Sequence, residues 1–261
     1  MLPQKPQGVT TMRSIHTDLS IFLRLNLKTS PLAIKFQFFL PEGIDPLPAD
    51  RCLSLCEMMI EAQKTGKPFY FSREQTETCV GKILLGMQEM EPFAESGQIG
   101  EKLRVFQEAR ANYALYQYVP RFEKNVVRYL VFSLLEQLAF EPDLLILAAD
   151  ATQAEIIMRS MTYSTGELYN STTTPVMGCA WIFIYPFKSG KVNFLVPEMI
   201  HGMKARELFS KDTILISIPY RWIPIMAQNL REMTWHLPAH RSRELYLSEF
   251  KAIIKELAEK S

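Results

Sequence analysis

Hydrophobic residues recur at helical spacing in some segments of the chain and at strand spacing in others, and this predicts a mixed α/β protein. Asp50 is a predicted helix N-cap, and Gly66 stands where a helix C-cap is expected. The elements predicted in the first part of the chain are a helix over 15–27, a strand over 31–40, a helix over about 51–64 and a strand over 67–71.

Residues 98–118 place apolar side chains at helical spacing and predict one long amphipathic helix. Further on, strands are predicted over 126–135, 144–148, 192–196 and 213–220, and helices over 151–163, 222–233 and 241–260. We expect a central sheet flanked by helices, with the last helix docked on the outside. Its predicted buried stripe consists of Leu245, Leu247, Phe250, Ile253, Ile254 and Leu257.

Two segments follow the same order: a cysteine, an apolar stretch, a Gly-Lys pair and a strand. The first leads from Cys56 to Cys79 and the second from Cys179 to His201. One interpretation is an internal duplication, and the other is chance, because this order is common in α/β chains. A duplicated core would bring Cys56 and Cys179 to related positions at a shared interface, where pockets often form.

The composition is that of an ordinary globular protein, with 48% hydrophobic and 22% charged residues. The formal net charge of +1 gives no global attraction to nucleic acid or anionic lipid, so neither is an expected partner. The start of the chain lacks the apolar core of a signal sequence, and we expect a cytoplasmic protein. The predicted organisation is a flexible leader over 1–14, a single globular domain over 15–240 with two repeats (about 15–120 and 121–220), and a helix over 241–261.

Four cysteines in a reducing compartment are expected to pack, to bind metal or to do redox chemistry. Cys52 and Cys56 lie four positions apart, so on a helix they share a face. Thiolates suit zinc, copper and iron–sulfur clusters. We therefore predict an iron–sulfur cluster or another thiolate-bound metal on Cys52, Cys56, Cys79 and Cys179. Inert packing and a reactive thiol are the alternatives, because cysteine is often simply a small buried hydrophobe.

Cys79 is the strongest candidate for a nucleophile, because a position at a helix N-terminus favours the thiolate. A nucleophilic cysteine needs a base, and His201 is its counterpart in the proposed repeat. The predicted catalytic pair is therefore Cys79 and His201, with a surface histidine as the alternative for His201. Whether the protein is an enzyme stays open.

Basic residues and a glycine mark the same repeated units. They would neutralise a cluster or contact an anionic ligand, or alternatively the lysines only solvate the ends of strands. The predicted cofactor-binding residues are Lys35, Lys67, Gly81 and Lys191.

An ordered set of short motifs resembles domain-of-unknown-function family 169 over about residues 17–220. The motifs are Ser30-Pro31-Leu32-Ala33-Ile34-Lys35-Phe36, Cys56 before a helix ending in glycine, Cys79 before Gly81 and Leu85-Gly86, Glu141-Pro142-Asp143 before an apolar strand, Cys179, and Gly190-Lys191-Val192. The resemblance implies a cytoplasmic protein of anaerobic metabolism, in which oxygen-sensitive metal chemistry is common. The turn over 199–206 departs from the family pattern.

The sequence thus predicts a cytoplasmic protein that binds a metal or an iron–sulfur cluster and acts in anaerobic redox or one-carbon metabolism. Its expected partners are a small molecule or a redox protein, and a homo-oligomer is a further possibility. The alternative is a non-catalytic module that binds a small molecule or cofactor between its halves, with cysteines that only pack.

Overall fold

Seven strands form one sheet in the computed structural model, which describes residues 19–260. The predicted leader over 1–14 lies outside the described residues. The strand order is β2-β3-β4-β1-β5-β7-β6, and neighbouring strands are antiparallel except for β2 and β3. The strands are β1 (Leu32–Gln37), β2 (Asp45–Pro46), β3 (Phe69–Ser72), β4 (Tyr129–Leu134), β5 (Leu144–Ala149), β6 (Asn193–Leu195) and β7 (Ile214–Pro219).

Helices cover both faces of the sheet, which confirms the predicted mixed α/β fold with a central sheet. Residues 19–23 are helical at the start of the described chain. The later helices are α1 (Leu55–Thr65), α2 (Gly81–Leu84), α3 (Pro92–Glu95), α4 (Gln98–Lys102), α5 (Ala109–Tyr116), α6 (Ala151–Thr162), α7 (Tyr185–Ser189), α8 (His201–Ala205), α9 (Ile223–Glu232) and α10 (Arg243–Lys260). A π-helical stretch over Ala180–Ile184 runs directly into α7.

Strand β5 shows how the sheet divides the core into two layers, because successive side chains on a strand point to opposite faces. Leu144 and Ile146 belong to a cluster with α1 and the π-helical stretch. Leu145 and Leu147 belong to a second cluster with α6 and α9. Both clusters are buried, so the strand is apolar throughout rather than alternating.

The central pair β1 and β5 divides the sheet into two halves with the same internal order. In each half, a strand of the central pair is followed by a helix on the same face, by a short strand, and by a strand that pairs with both strands: β1, α1, β3 and β4, then β5, α7, β6 and β7. Strand β2, which lies at the edge beyond β3, and helix α6 are outside this pattern. Strand β4 pairs with β1, although it lies beyond residue 120, where the first repeat was predicted to end. The duplication itself stays a prediction.

Two predicted helices differ from those observed. Helix α1 begins at Leu55 rather than near Arg51, because Ser54, not Asp50, is the N-cap and forms a capping box with Glu57. The predicted helix over 98–118 is interrupted between α4 and α5, where Arg104 has a φ of 57°. The interruption lets the chain fold back, and Asn112 Nδ2 donates to Gly97 O at 3.0 Å.

The last helix, α10, differs in burial rather than in position. None of its residues is buried, although a buried stripe was predicted. Five members of that stripe are between 43% and 59% exposed, and Leu247 is half-buried. Within residues 19–260, no helix has the length and apolar character needed to cross a membrane.

Candidate thiol site

Cys56 lies in the first turn of α1, and the start of that helix is tightly fixed. Ser54 Oγ accepts from Glu57 N at 3.3 Å, and Glu57 Oε2 accepts from Ser54 N at 2.8 Å. Leu55 and Cys56 are both buried against the sheet. The capping box therefore places the Cys56 thiol inside the core.

Cys179 meets Cys56 from the other half of the sheet. It precedes the π-helical stretch, and every residue of that stretch is buried. The π-helical stretch ends just before Pro186, which has no N–H to donate to a helix. Tyr185 N donates five residues back to Ala180 O, which is the hydrogen bond of a π-helix. The thiol of Cys179 lies close enough to that of Cys56 for the two to interact. The interaction with Cys56 and burial together raise the pKa of Cys179 well above its usual value.

Cys79 is the third thiol of this group. It lies in the loop before α2 and is exposed at one side, while protein atoms pack around the other. Burial raises the pKa of the Cys79 thiol to about 12, and the neighbouring Cys179 adds to the effect. The thiols of Cys79 and Cys179 are therefore protonated at neutral pH.

Glu77 adds a buried carboxylate beside these thiols. Its Oε1 accepts from Lys82 N at 3.0 Å, whereas its Oε2 is buried without a hydrogen-bond partner. Burial raises the pKa of Glu77 despite the amides at the start of α2. Gly81 provides the space, because a Cβ there would lie 2.5 Å from both Glu77 Oε2 and Leu55 Cγ. Glu77 is close enough to raise the pKa of Cys79 and Cys179.

A polar network closes the outer side of the site. Glu57 Oε2 accepts from Thr78 Oγ1 at 3.1 Å and lies 3.7 Å from Arg206 Nε. Arg206 Nη2 also donates to Thr78 O at 3.3 Å. Burial opposes ionisation of Glu57, but its hydrogen bonds from Ser54 and Thr78 leave its pKa lowered. The network ties the start of α1, the Cys79 loop and the end of α8 together.

Cys52 and His201 stand apart from the buried thiols. Cys52 is exposed in the segment before α1, so the shared helical face expected for Cys52 and Cys56 does not exist. His201 is exposed at the start of α8, and its backbone N donates to Pro175 O at 2.8 Å. From this part of the chain, Arg206 rather than His201 is seen to contact the loop that carries Cys79.

The three predicted lysine contacts lie elsewhere. Lys35 projects from the opposite face of β1 to Ile34 and pairs with Asp143 at 3.4 Å. Lys67 and Lys191 follow Gly66 and Gly190, at the far ends of the helices that begin near Cys56 and Cys179. Gly81 is the one predicted cofactor contact that the structure places beside the thiols.

Glu77, Glu57 and Arg206 are not among the site residues predicted from the sequence. Glu77 stands two residues before Cys79, which is a local signal that was available. Glu57 follows Ser54 at the spacing of a capping box, so its position was also readable. The approach of Arg206 depends on how α8 packs against the Cys79 loop, and no sequence spacing indicates it.

The donor set has the chemistry for a soft metal: three thiols and one carboxylate oxygen without a hydrogen-bond partner. Among residues 19–260, however, no three His, Cys, Asp or Glu side chains converge closely enough to hold a metal ion. Metal binding would therefore require these side chains to move closer together and to lose their protons.

Comparison with known proteins identifies a family for this chain. The model of the family DUF169, described as an uncharacterised ArCR family, matches residues 22–229. This confirms the resemblance predicted from the ordered motifs. No curated protein and no solved structure matches the chain.

Proposed function

This chain belongs to the DUF169 family, and we propose that it binds a thiolate-ligated metal ion or iron–sulfur cluster. The proposed ligands are Cys56, Cys79 and Cys179. Cys52, which the sequence also suggested, is left out because it is exposed and precedes α1. The main supporting observation is that the buried thiols of Cys56 and Cys179 lie close enough to interact, although they come from opposite halves of the sheet.

The surroundings of the thiols support a specific centre rather than inert packing. Inert cysteines need no charged neighbour, yet Glu77 brings a buried carboxylate oxygen that has no hydrogen-bond partner. A bound cation would supply that partner and would offset the burial that raises the pKa of Glu77. We therefore assign Glu77 as the fourth donor, or as the group that receives a proton when a thiol ionises.

When Glu77 receives the proton and does not coordinate the metal, three protein thiolates leave a coordination position for a further ligand. An open position is typical of catalytic rather than structural metal sites. Exposure of Cys79 on one side would give a small molecule or a redox protein access to that position. The proposed cytoplasmic location and the role in anaerobic redox or one-carbon metabolism rest on the family resemblance.

Anaerobic purification with elemental analysis tests this proposal. We expect about one metal centre per chain, with broad absorption in the visible range if the centre is an iron–sulfur cluster. Cys56→Ser, Cys79→Ser and Cys179→Ser should each abolish stoichiometric binding. Cys52→Ser is the matched control and should bind as the wild type does.

Glu77→Gln separates the carboxylate from the thiols. Because the Glu77 carboxylate is proposed as a fourth donor or a proton acceptor, its loss should weaken metal binding by about 10–100-fold while leaving the thiols intact. The proposal fails if folded, anaerobically prepared protein contains no metal and takes none up. It also fails if Cys52→Ser lowers binding as much as Cys56→Ser does.

A further inference from the structure

A cavity of about 160 Å³ lies at one end of the central strands and is separate from the thiol site. Strand β1 begins at Leu32, β5 ends at Ala149 and β7 begins at Ile214. Antiparallel pairing sets these three strand ends side by side. Helix α1 contributes Met59 and Ile60 to the wall.

The walls of this cavity are apolar. The side chains that line it include Leu32, Met59, Ile60, Ile146, Leu208 and Phe209. Ala148 lies on the same face of β5 as Ile146 and Leu144, so its small side chain faces the layer of α1. A larger residue at this position would occupy the space that Ala148 leaves.

Polar groups surround the mouth of the cavity, and most of them already have partners. Lys28 Nζ lies 3.1 Å from Asp212 Oδ2, and Gln63 Nε2 donates to Ser30 O at 2.7 Å. Asp150 accepts from Gln153 N as the N-cap of α6. Because Asp212 balances Lys28, the mouth carries no excess positive charge that would attract an anion.

We propose that the cavity binds a small neutral organic molecule, with an aromatic or branched aliphatic body inside and a hydroxyl or amide at the mouth. An apolar cavity of about 150 Å³ is known to hold benzene, so about six to ten non-hydrogen atoms fit here. The combination of apolar walls and a few polar groups is typical of small-molecule sites.

The cavity lies close to the thiol site along α1. Met59 follows Cys56 by three residues, or about 4.5 Å along the helix axis. A molecule in the cavity would therefore sit about one helical turn from the thiols. The inference does not depend on a bound metal, so the two proposals can fail separately.

Binding of matched probes to chelator-treated protein tests the inference. Benzyl alcohol and benzoate share a ring and differ in charge, and both can be followed by saturation-transfer NMR and by amide shift titration. We expect benzyl alcohol to bind and to shift the amides of Ile60, Ala148 and Phe209. Benzoate should bind at least about tenfold more weakly, because its charge has no partner at the mouth.

Cavity-filling variants locate the probe. Ala148→Leu and Ile60→Trp should each weaken benzyl alcohol binding by about tenfold or more, because they occupy apolar space that the ring needs. Ala111→Leu, at an exposed position of α5, is the matched control and should leave binding unchanged. If Ala148→Leu lowers the melting temperature strongly, Ile60→Trp alone decides whether benzyl alcohol binds in the cavity.

Three results would overturn the inference. The wild-type protein shows no saturable binding of benzyl alcohol, a folded filled variant binds it as tightly as the wild type, or benzoate binds at least as tightly as the alcohol. Because the protein is stripped of metal, a negative result here leaves the thiol proposal untouched.

Discussion

Gly86 occupies a backbone position that only glycine fills without strain. Its φ is 71°, and a Cβ there would lie 2.2 Å from Glu123 O. We expect Gly86→Ala to lower the free energy of unfolding by about 3 kcal/mol, from the left-handed backbone and the clash together. Urea denaturation measures the change.

Gly43 is the matched control for this prediction. Its φ is 70°, but a Cβ there would have nothing within 4 Å. Gly43→Ala should therefore cost only the backbone penalty of about 1–2 kcal/mol. Equal decreases in the free energy of unfolding for Gly86→Ala and Gly43→Ala would show that the clash with Glu123 does not add to the cost of Gly86→Ala.

Asp143 makes the free energy of unfolding depend on pH. Burial raises its pKa above 3.8, although Phe36 N donates to Oδ2 at 2.7 Å and Lys35 lies nearby. The pKa of Asp143 is therefore higher in the native protein than in the unfolded chain. Its contribution to the free energy of unfolding is fully present at pH values below the unfolded pKa. It is lost as the pH rises through the native pKa.

Asp143→Asn removes this titration and keeps an acceptor for Phe36 N. The unfolding free energy of the wild type minus that of Asp143→Asn should fall as the pH rises from below the unfolded pKa of Asp143 through its native pKa. Urea titrations of both proteins at several pH values measure the difference. A difference that rises with pH would mean that attraction to Lys35 outweighs burial.

Ser54 matters at the scale of the helix, because it sets where α1 begins. Removing a serine N-cap typically costs about 1 kcal/mol, and Ser54→Ala should destabilise the protein by about that amount. Ser248→Ala, on the exposed helix α10, should change stability by less than about 0.5 kcal/mol. Thermal and urea unfolding compare the two.

The same substitution links the helix to the site. Loss of Ser54 frees Glu57, which also holds Thr78 in the Cys79 loop. If the proposed centre exists, Ser54→Ala should weaken metal binding while Ser248→Ala does not. Unchanged metal binding in Ser54→Ala would show that the cap stabilises the helix without positioning the thiols.

Helix and strand prediction succeeded where local signals agreed. Gly66 closes α1 in the left-handed conformation, and Asp150 caps α6 through a capping box with Gln153. The error over 98–118 arose because the apolar spacing continues through a reversal of the chain. Leu103, one of the apolar residues at helical spacing in this segment, is 54% exposed at that reversal. Periodicity records which residues are apolar but not whether the backbone bends between them.

Helix α10 belongs to the scale of the whole molecule, because it lies outside the folded core. Its residues are all unburied, and the family match ends at residue 229. Deleting residues 241–261 should change the free energy of unfolding by less than about 1 kcal/mol. Circular dichroism and urea denaturation of the shortened chain check this.

A longer deletion provides the contrast. Removing residues 222–261 also removes α9, whose Met226, Ala227 and Leu230 are buried in the second cluster. That chain should lose cooperative unfolding, because several large buried side chains are lost together. Similar behaviour of the two deletions would show that α10 supports the core after all.

The arrangement of the two halves explains why cysteines distant in the chain meet. Helix α1 and the π-helical stretch lie on the same face of the sheet, on either side of the β1–β5 pair. The repeated order of segments therefore predicted the proximity of Cys56 and Cys179. It did not predict that Lys67 and Lys191 would lie at the opposite ends of these helices.

The sequence by itself determined the elements that depend on local chemistry: the apolar strands, the glycine that ends α1 and the family of the chain. Only the tertiary structure decided that Cys56, Cys79 and Cys179 form the group while Cys52 stays outside, and that Glu77 joins it. The physical reason is that propensity and capping act over a few residues. Burial, pKa shifts and cavities arise from contacts between segments far apart in the chain.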